Sequence, residues 1–187
     1  MSTFLSATGW CYLMAALLGA LGGGALLVPN ASAQALKLLP RNRLIGVILT
    51  LWAWAWAGLV VHEMNPAILG KLLDFLPALF AFCAVASCFW MGELLSCRAL
   101  SGLLMLFPMP MILAVRAAET DWRLLPVATG YLAAIVGMDV MLYPWHMRDA
   151  FFWVAARQAR LRVVGTIAII WALAFVWAGR ALLSFAP

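Results

Sequence analysis

The sequence predicts an all-α integral membrane protein, a bundle of about six transmembrane helices. Hydrophobic residues make up 67% of the 187 residues and charged residues only 10%, against about 25% in an ordinary soluble domain. Several apolar runs also approach or exceed the ~20 residues that a helix needs to cross a bilayer. These two observations exclude a soluble globular enzyme, a disordered protein and a nucleic-acid-binding module.

The predicted spans are apolar runs that end at charged residues, at proline or at a turn. Together they form a single transmembrane domain over residues 1–187, and the spans cover residues 4–28, 44–61, 75–91, 95–115, 124–143 and 163–185. The first run also resembles a signal peptide, since Ala31-Ser32-Ala33 fits a small-residue cleavage pattern. Because no Lys or Arg precedes Lys37, the basic segment of a signal peptide is missing and we expect the run to stay as a span.

The third and fourth spans share one apolar tract, residues 75–115. At 1.5 Å per residue, a single helix of that length would be about twice the thickness of a bilayer core. The sequence therefore predicts a hairpin that turns near Gly92. Pro108 and Pro110 each remove a backbone hydrogen bond, so the fourth span is expected to be kinked.

Basic residues in short loops predict the orientation. One side of the membrane carries Lys37, Arg41, Arg43, Arg98, Arg148, Arg157, Arg160 and Arg162. The other side carries Lys71, Arg116, Arg123 and Arg180, mixed with acidic residues. The first side is expected to be cytoplasmic and both termini periplasmic. The Arg-, Ala- and Leu-rich composition is typical of bacteria, so we expect the bacterial inner membrane.

A short cytoplasmic interfacial helix is predicted between the fifth and sixth spans, within residues 145–162. Bulky apolar residues alternate there with Arg157, Arg160 and Arg162. Such arginines contact anionic lipid headgroups or an acidic surface of a partner protein. This stretch is therefore a candidate lipid or partner surface.

Asp139 is the most informative residue because it lies within the fifth span. An ionisable group in the membrane costs roughly 2.5 kcal/mol or more unless it meets a partner or water. We expect Asp139 to face the bundle interior, in a polar cluster with Glu93, Arg98, His146 and Arg148. Its role is either a structural ion pair with Arg98 or Arg148, a proton or ion relay, or a contact with a partner subunit.

Small and aromatic residues mark two further surfaces. Small residues four apart let two helices approach closely, and the first span has them at Ala15, Gly19 and Gly23. Three tryptophans fall mid-span, away from the interfaces that tryptophan prefers: Trp52, Trp54 and Trp56. They are interpreted as a lipid-facing or partner-facing surface, with a pigment, quinone or lipid site as the alternative.

Metal and cofactor sites have little support in the sequence, and none is predicted. His62 and His146 fall at opposite ends of their spans, ~30 Å apart, so they cannot share one haem. A Cu(I) site is one alternative because soft sulfur ligands are numerous near the fourth span, although Met also fills gaps beside prolines. These ligands are Met105, Met109, Met111, Cys83, Cys88 and Cys97. Cys97 with His146 forms a possible nucleophile and base.

Three functions of different classes remain open. The first is a non-catalytic integral subunit that scaffolds or assembles a larger membrane complex, with the lipid bilayer and other membrane subunits as partners and no nucleic acid. The second is a small transporter or ion-coupled channel subunit that uses Asp139, Glu93 and Arg98. The third is a membrane redox anchor for haem or quinone, or a Cys/His membrane enzyme. The sequence places few charged residues within the spans, and this favours the first function, the non-catalytic subunit.

Overall fold

The described part of the protein is entirely helical. A computed structural model describes residues 6–64, 75–90, 94–116 and 118–184, with the backbone alone at residues 62–64 and 184. Its helices, in chain order, are α1 Ala7–Leu27, α2 Pro29–Leu38, α3 Arg43–Met64, α4 Leu76–Trp90, α5 Leu95–Leu106, α6 Pro108–Val115, α7 Leu124–Leu142, α8 Pro144–Ala155 and α9 Gln158–Ser184. Short 3₁₀ turns at Leu39–Arg41 and Asp121–Arg123 precede α3 and α7.

Five stretches are long and apolar enough to cross a membrane, which confirms the helical membrane class. They are Ala7–Leu27, Arg43–Val61, Leu95–Val115, Asp121–Leu142 and Gln158–Leu183. The third predicted span corresponds to α4, an apolar helix of 15 residues. At 1.5 Å per residue α4 is about 22 Å long, shorter than a ~30 Å hydrocarbon core.

Helices α1 and α9 form an antiparallel pair held by contacts between small residues. A Cβ at position 22 would lie 2.7 Å from the Gly165 carbonyl oxygen, and one at position 179 would lie 3.3 Å from the Cys11 Cβ. The backbones can approach this closely because glycine has no side chain. The apolar contacts continue through the buried residues Cys11, Ala15, Phe175, Ala178 and Leu182.

The close contact on α1 lies one residue away from the predicted glycine. Ala15 is buried, and a Cβ at Gly19 would lie 3.9 Å from the Ala172 Cβ, but a Cβ at Gly23 would meet nothing within 4 Å. Gly22 makes the contact instead. At about 100° per residue, a position seven residues after Ala15 returns within about 20° of its face, whereas the eighth is about 80° away.

Helices α3, α4, α5 and α7 form the other half of the bundle. A Cβ at Gly46 would lie 3.0 Å from the Ser96 backbone nitrogen, and one at Gly102 would lie 4.0 Å from the Ala53 Cβ, so α3 and α5 run parallel. Helix α4 runs antiparallel to α3. The indole of Trp54 donates to Ser87 Oγ over 3.2 Å, and Phe80 lies against Gly58, four residues later along α3.

The predicted kink in the fourth span appears as a break between two helices. Helix α5 ends at Leu106, Phe107 follows, and α6 begins at Pro108. Proline lacks the N–H that would continue the hydrogen-bond ladder, which accounts for a break at this position. Val115, at the end of α6, is buried in the apolar contacts between α1 and α9.

Helices α2 and α8 pack against one another at one end of the bundle. The side chain of Gln158, the first residue of α9, donates to Asn30 Oδ1 over 2.9 Å. Ser96 Oγ donates to the Leu39 carbonyl over 2.8 Å, which ties α5 to the same end. The basic residues from Lys37 to Arg43 and from Arg148 to Arg162 therefore lie together, and we call this the basic end.

Helix α9 begins earlier than the sixth predicted span, at Gln158 instead of residue 163. The non-spanning helix α8 accordingly ends at Ala155, well short of residue 162. Arg157 lies in the link between the two helices, and Arg160 and Arg162 belong to the first turns of α9. Arginine is tolerated in the first turns of a spanning helix because its long side chain can extend back to the membrane interface.

Replacing Gly22 by Ala is expected to lower stability by about 1–3 kcal/mol, the usual cost of overpacking a close contact. The added methyl would lie 2.7 Å from a backbone oxygen and 2.9 Å from Ile169 Cγ1. Gly23→Ala is the matched control, since nothing lies within 4 Å of its added methyl. Thermal denaturation in detergent, followed by circular dichroism, measures both; equal midpoints would contradict the α1–α9 packing.

Candidate functional site

Asp139 and His146 form a hydrogen-bonded pair where α7 meets α8. Asp139 Oδ2 lies 2.9 Å from His146 Nδ1. Asp139 is in the last turn of α7, where the Tyr143 N–H donates to its carbonyl over 2.8 Å. Pro144 begins α8 directly afterwards and turns the chain, so that side chains seven residues apart meet.

Asp139 points outward, which overturns the expectation that it faces the bundle interior. Its side chain is 51% exposed and that of His146 is 52% exposed. The inward face of α7 contains Gly137, where a Cβ would lie 2.8 Å from Met105 Cγ and 3.0 Å from the Ser101 carbonyl oxygen. Asp139 is two residues further along, about 200° around the helix from that face.

The predicted polar cluster does not assemble as one group. Arg148 Nη2 lies 2.8 Å from Asp149 Oδ1, a neighbour on α8, instead of pairing with Asp139. Arg98 Nε is buried without a hydrogen-bond partner among the residues that the structure describes. Glu93 lies outside the described residues. The charges therefore divide between an outward Asp139–His146 pair and a separate arginine within the bundle.

Aromatic rings surround the Asp139–His146 pair. The ring centroid of Tyr143 lies 5.2 Å from that of His146, and the ring of Trp145 lies 6.0 Å from it. Tyr143 and Trp145 also contact each other edge to face, at 5.3 Å. Amphipathic aromatic residues are typical of the membrane–water interface, where one end of the ring is apolar and the other is wet.

Arg98 lines a crevice between α3, α4, α5 and α7, which we call the Arg98 crevice. Its volume is about 270 Å³. Its walls are mostly apolar. The residues that line it are Thr50, Ala53, Trp54, Ala57, Ser87, Leu95, Arg98, Ala99, Gly102, Met105, Leu106 and Met141. The sequence did not predict this crevice, although Thr50 and Ser87 are unusual polar residues within apolar runs.

The three mid-span tryptophans occupy three different environments. Trp52 is exposed on the outer surface, as expected for a lipid-facing or partner-facing residue. Trp54 is half-buried in the wall of the Arg98 crevice and hydrogen-bonds Ser87. The ring of Trp56 packs 6.3 Å from that of Trp10. Trp54 points to the opposite side of α3 from Trp52 and Trp56, as positions two apart on a helix do, and the lipid-facing or partner-facing role of the three tryptophans stays a prediction.

Cys97 is a poor candidate nucleophile. It is fully buried, and it packs with Val140 and Met147 in an apolar contact between α5, α7 and α8. A thiol in apolar surroundings is inert, because the reactive form is the thiolate. The side chain of His62 lies outside the described part of the chain. Among the residues that the structure describes, no group of three or more His, Cys, Asp or Glu could hold a metal ion.

The arginines of the α8–α9 link belong to the basic end. The guanidinium carbon of Arg160 lies 4.1 Å from the ring centroid of Trp153, and Arg160 Nη1 donates to the Trp153 carbonyl over 3.1 Å. Arg157 and Arg162 are exposed. Arg41 lies 5.6 Å from the ring centroid of Phe152, which joins the two basic segments. This end presents cations and aromatic rings together, a combination suited to lipid headgroups.

Comparison with known proteins found no match to a protein-family model, to a curated protein or to a solved structure.

N-Ethylmaleimide is expected to modify Cys97 and Cys11 at least about tenfold more slowly than Cys83 and Cys88 on α4. The first two are fully buried and the others half-buried. The modification rate of a buried thiol falls tenfold for each ~1.4 kcal/mol of free energy that is needed to open the structure around it. Peptide mass spectrometry over time measures the rates, and protein unfolded in SDS is the control. Equal rates for all four thiols in the native protein would contradict this packing.

Proposed function

We propose that this chain is a non-catalytic, six-pass integral membrane subunit that scaffolds or assembles a larger membrane complex. The observation that carries the proposal is the Asp139–His146 pair on the outer surface of α7. A carboxylate and an imidazole that face outward from a membrane helix are expensive in lipid. They are favourable where a neighbouring subunit covers them and supplies the remaining hydrogen bonds.

The surroundings of the pair support a protein partner. The same face of α7 exposes Leu132, Ile135 and Leu142, which lie seven, four and three residues from Asp139 and hence on its face of the helix. Interhelical hydrogen bonds and close packing drive association between membrane helices. An apolar helix face with one polar pair near its end therefore suits binding of a helix from another subunit.

Helix α4 supports the same proposal. It packs chiefly on α3, and its outer side exposes Phe82, Val85, Phe89 and Trp90, the last at 89% exposure. Aromatic residues are enriched at protein interfaces. A helix shorter than the bilayer core causes hydrophobic mismatch, and association with other helices relieves the mismatch. We infer that α4 is a second contact surface within the complex.

The six-pass topology is supported by helix direction. Helices α3 and α5 both begin at the basic end, so the chain between them must return to that end. Helix α4 runs antiparallel to α3, as a returning span would. By the distribution of basic residues, the basic end is cytoplasmic, α8 is an interfacial helix there, and both termini are periplasmic in a bacterial inner membrane.

The transport and redox alternatives have less support. A transporter built on Asp139 and Arg98 needs both groups on one path, but Asp139 faces outward and Arg98 faces the crevice. A thiol enzyme needs an accessible Cys97, which is fully buried. A redox anchor through His146 would have to bind its metal through Nε2, since Nδ1 is bonded to Asp139, and among the described residues no group of three or more His, Cys, Asp or Glu assembles around a metal.

The partner surface on α7 is tested by the substitution Asp139→Ala. Loss of a charge-assisted hydrogen bond costs about 1.5–3 kcal/mol, so we expect at least about tenfold lower recovery of the protein's partners. The measurement is quantitative mass spectrometry of proteins that remain bound at stoichiometric amounts after mild-detergent purification from native membranes.

Asp149→Ala is the matched control for this experiment. It also removes an exposed aspartate near the basic end, but Asp149 pairs with Arg148 on its own helix. Recovery should fall for Asp139→Ala and stay at the wild-type level for Asp149→Ala. A wild-type protein that purifies with no stoichiometric partner would contradict the subunit proposal.

Reporter fusions test the topology. Alkaline phosphatase is active only outside the cytoplasm, and green fluorescent protein exported through the general pathway is dark. Fusions after Phe75 and Glu119 should give active phosphatase, and fusions after Leu94 and Ala156 should give fluorescence. The same reporter activity after Phe75 and Leu94 would mean that α4 does not cross the membrane.

A further inference from the structure

The Arg98 crevice combines a cation with apolar walls. Arg98 lies in the first turn of α5, two residues after Ser96, which donates to the Leu39 carbonyl, so it is at the basic end. Leu106 is eight residues further along α5, about 12 Å deeper in the bundle. Ala57 of α3 also lines this deeper part. The crevice is thus charged near the interface and apolar toward the bilayer centre.

The other polar groups in the crevice are already hydrogen-bonded within the protein. Thr50 Oγ1 donates to the Gly46 carbonyl over 2.7 Å, and Ser87 Oγ donates to the Cys83 carbonyl over 2.7 Å. Trp54 Nε1 donates to Ser87 Oγ. Within the part of the chain that the structure describes, Arg98 therefore supplies the free donor, and its Nε is buried without a partner.

The chemistry of the crevice specifies an anionic amphiphile. Among the described residues that line the crevice, none is a carboxylate that could neutralise Arg98. Arg98 is half-buried, and its buried Nε has no acceptor among the described residues. A buried donor without an acceptor is costly, and a guanidinium binds a phosphate through two parallel hydrogen bonds. The volume of about 270 Å³ lies just below the range of small-molecule pockets, which suits one acyl chain better than a whole lipid.

We propose that the Arg98 crevice binds an anionic phospholipid from the cytoplasmic leaflet. The phosphate group contacts the Arg98 guanidinium, and one acyl chain lies along Gly102 and Leu106 toward Ala57. The second acyl chain stays in the bilayer. This site is independent of the Asp139 surface, which faces away from the crevice.

Native mass spectrometry of the purified protein tests the proposal, with phosphatidylglycerol and phosphatidylcholine of identical acyl chains as probes. The wild type is expected to retain one phosphatidylglycerol at concentrations where phosphatidylcholine dissociates. Arg98→Gln should weaken phosphatidylglycerol binding at least about tenfold, because charge-assisted hydrogen bonds are lost. Arg98→Lys should recover part of the preference, since it keeps the charge but not the paired hydrogen bonds.

Two further variants separate the crevice from general attraction to the basic end. Arg162→Gln removes the same charge at that end outside the crevice and should weaken phosphatidylglycerol binding much less than Arg98→Gln does. Ala57→Leu fills the deeper part while it keeps Arg98, and it should weaken phosphatidylglycerol binding even if Arg98→Gln fails to fold. Equal loss in Arg98→Gln and Arg162→Gln, unchanged binding in Ala57→Leu, or retention of oleate but not phosphatidylglycerol by the wild type would each overturn the proposal.

Discussion

The close approach of α1 and α9 at Gly22 and Gly165 is the contact on which the bundle depends. It joins the two ends of the described chain, so that every other helix lies between them in sequence. It also brings α2 and α8 together, because each is attached by a short link to the same end of this pair. The basic end exists because of that arrangement. The hydrophobic effect contributes little to association between helices within a membrane. Close contact between small residues therefore contributes an unusually large part of the packing energy.

The break between α7 and α8 has a comparable local effect. A spanning helix that continued past Tyr143 would hold Asp139 and His146 on the same face but two turns, about 10 Å, apart along its axis. Pro144 ends the hydrogen-bond ladder and turns the chain, and the two side chains then meet. The resulting pair joins α7 and α8 and needs no residue from any further helix. This explains why Asp139 can remain on the outer surface, available to a neighbouring subunit, while Arg98 on α5 is left without a counter-ion among the described residues.

Two surfaces of the protein thus carry a charged group among mostly apolar side chains. On α7 the group is an anion with its own imidazole partner, surrounded by exposed aliphatic side chains. In the Arg98 crevice it is a cation at headgroup depth above apolar walls. The first arrangement suits another protein chain and the second suits a lipid, because helices supply polar side chains to one another whereas phospholipids supply phosphate beside hydrocarbon. The proposed contacts, one with a partner subunit and one with a bound lipid, would account for both surfaces.

The sequence by itself determined the membrane class, the helical structure, all five of the long spans, the break at Pro108 and the gathering of basic residues at one end. These follow from hydropathy, from the chemistry of proline and from the need to satisfy every backbone hydrogen bond within the bilayer. The small-residue face of α1, including Ala15, was also predictable. The sequence did not predict that Gly22 instead of Gly23 makes the close contact with α9. Only the tertiary structure decided where Asp139 and Arg98 point, because that depends on the rotation of each helix about its axis. Apolar residues surround these helices on all sides, so no amphipathic pattern specifies the rotation, and packing at positions such as Gly137 specifies it instead.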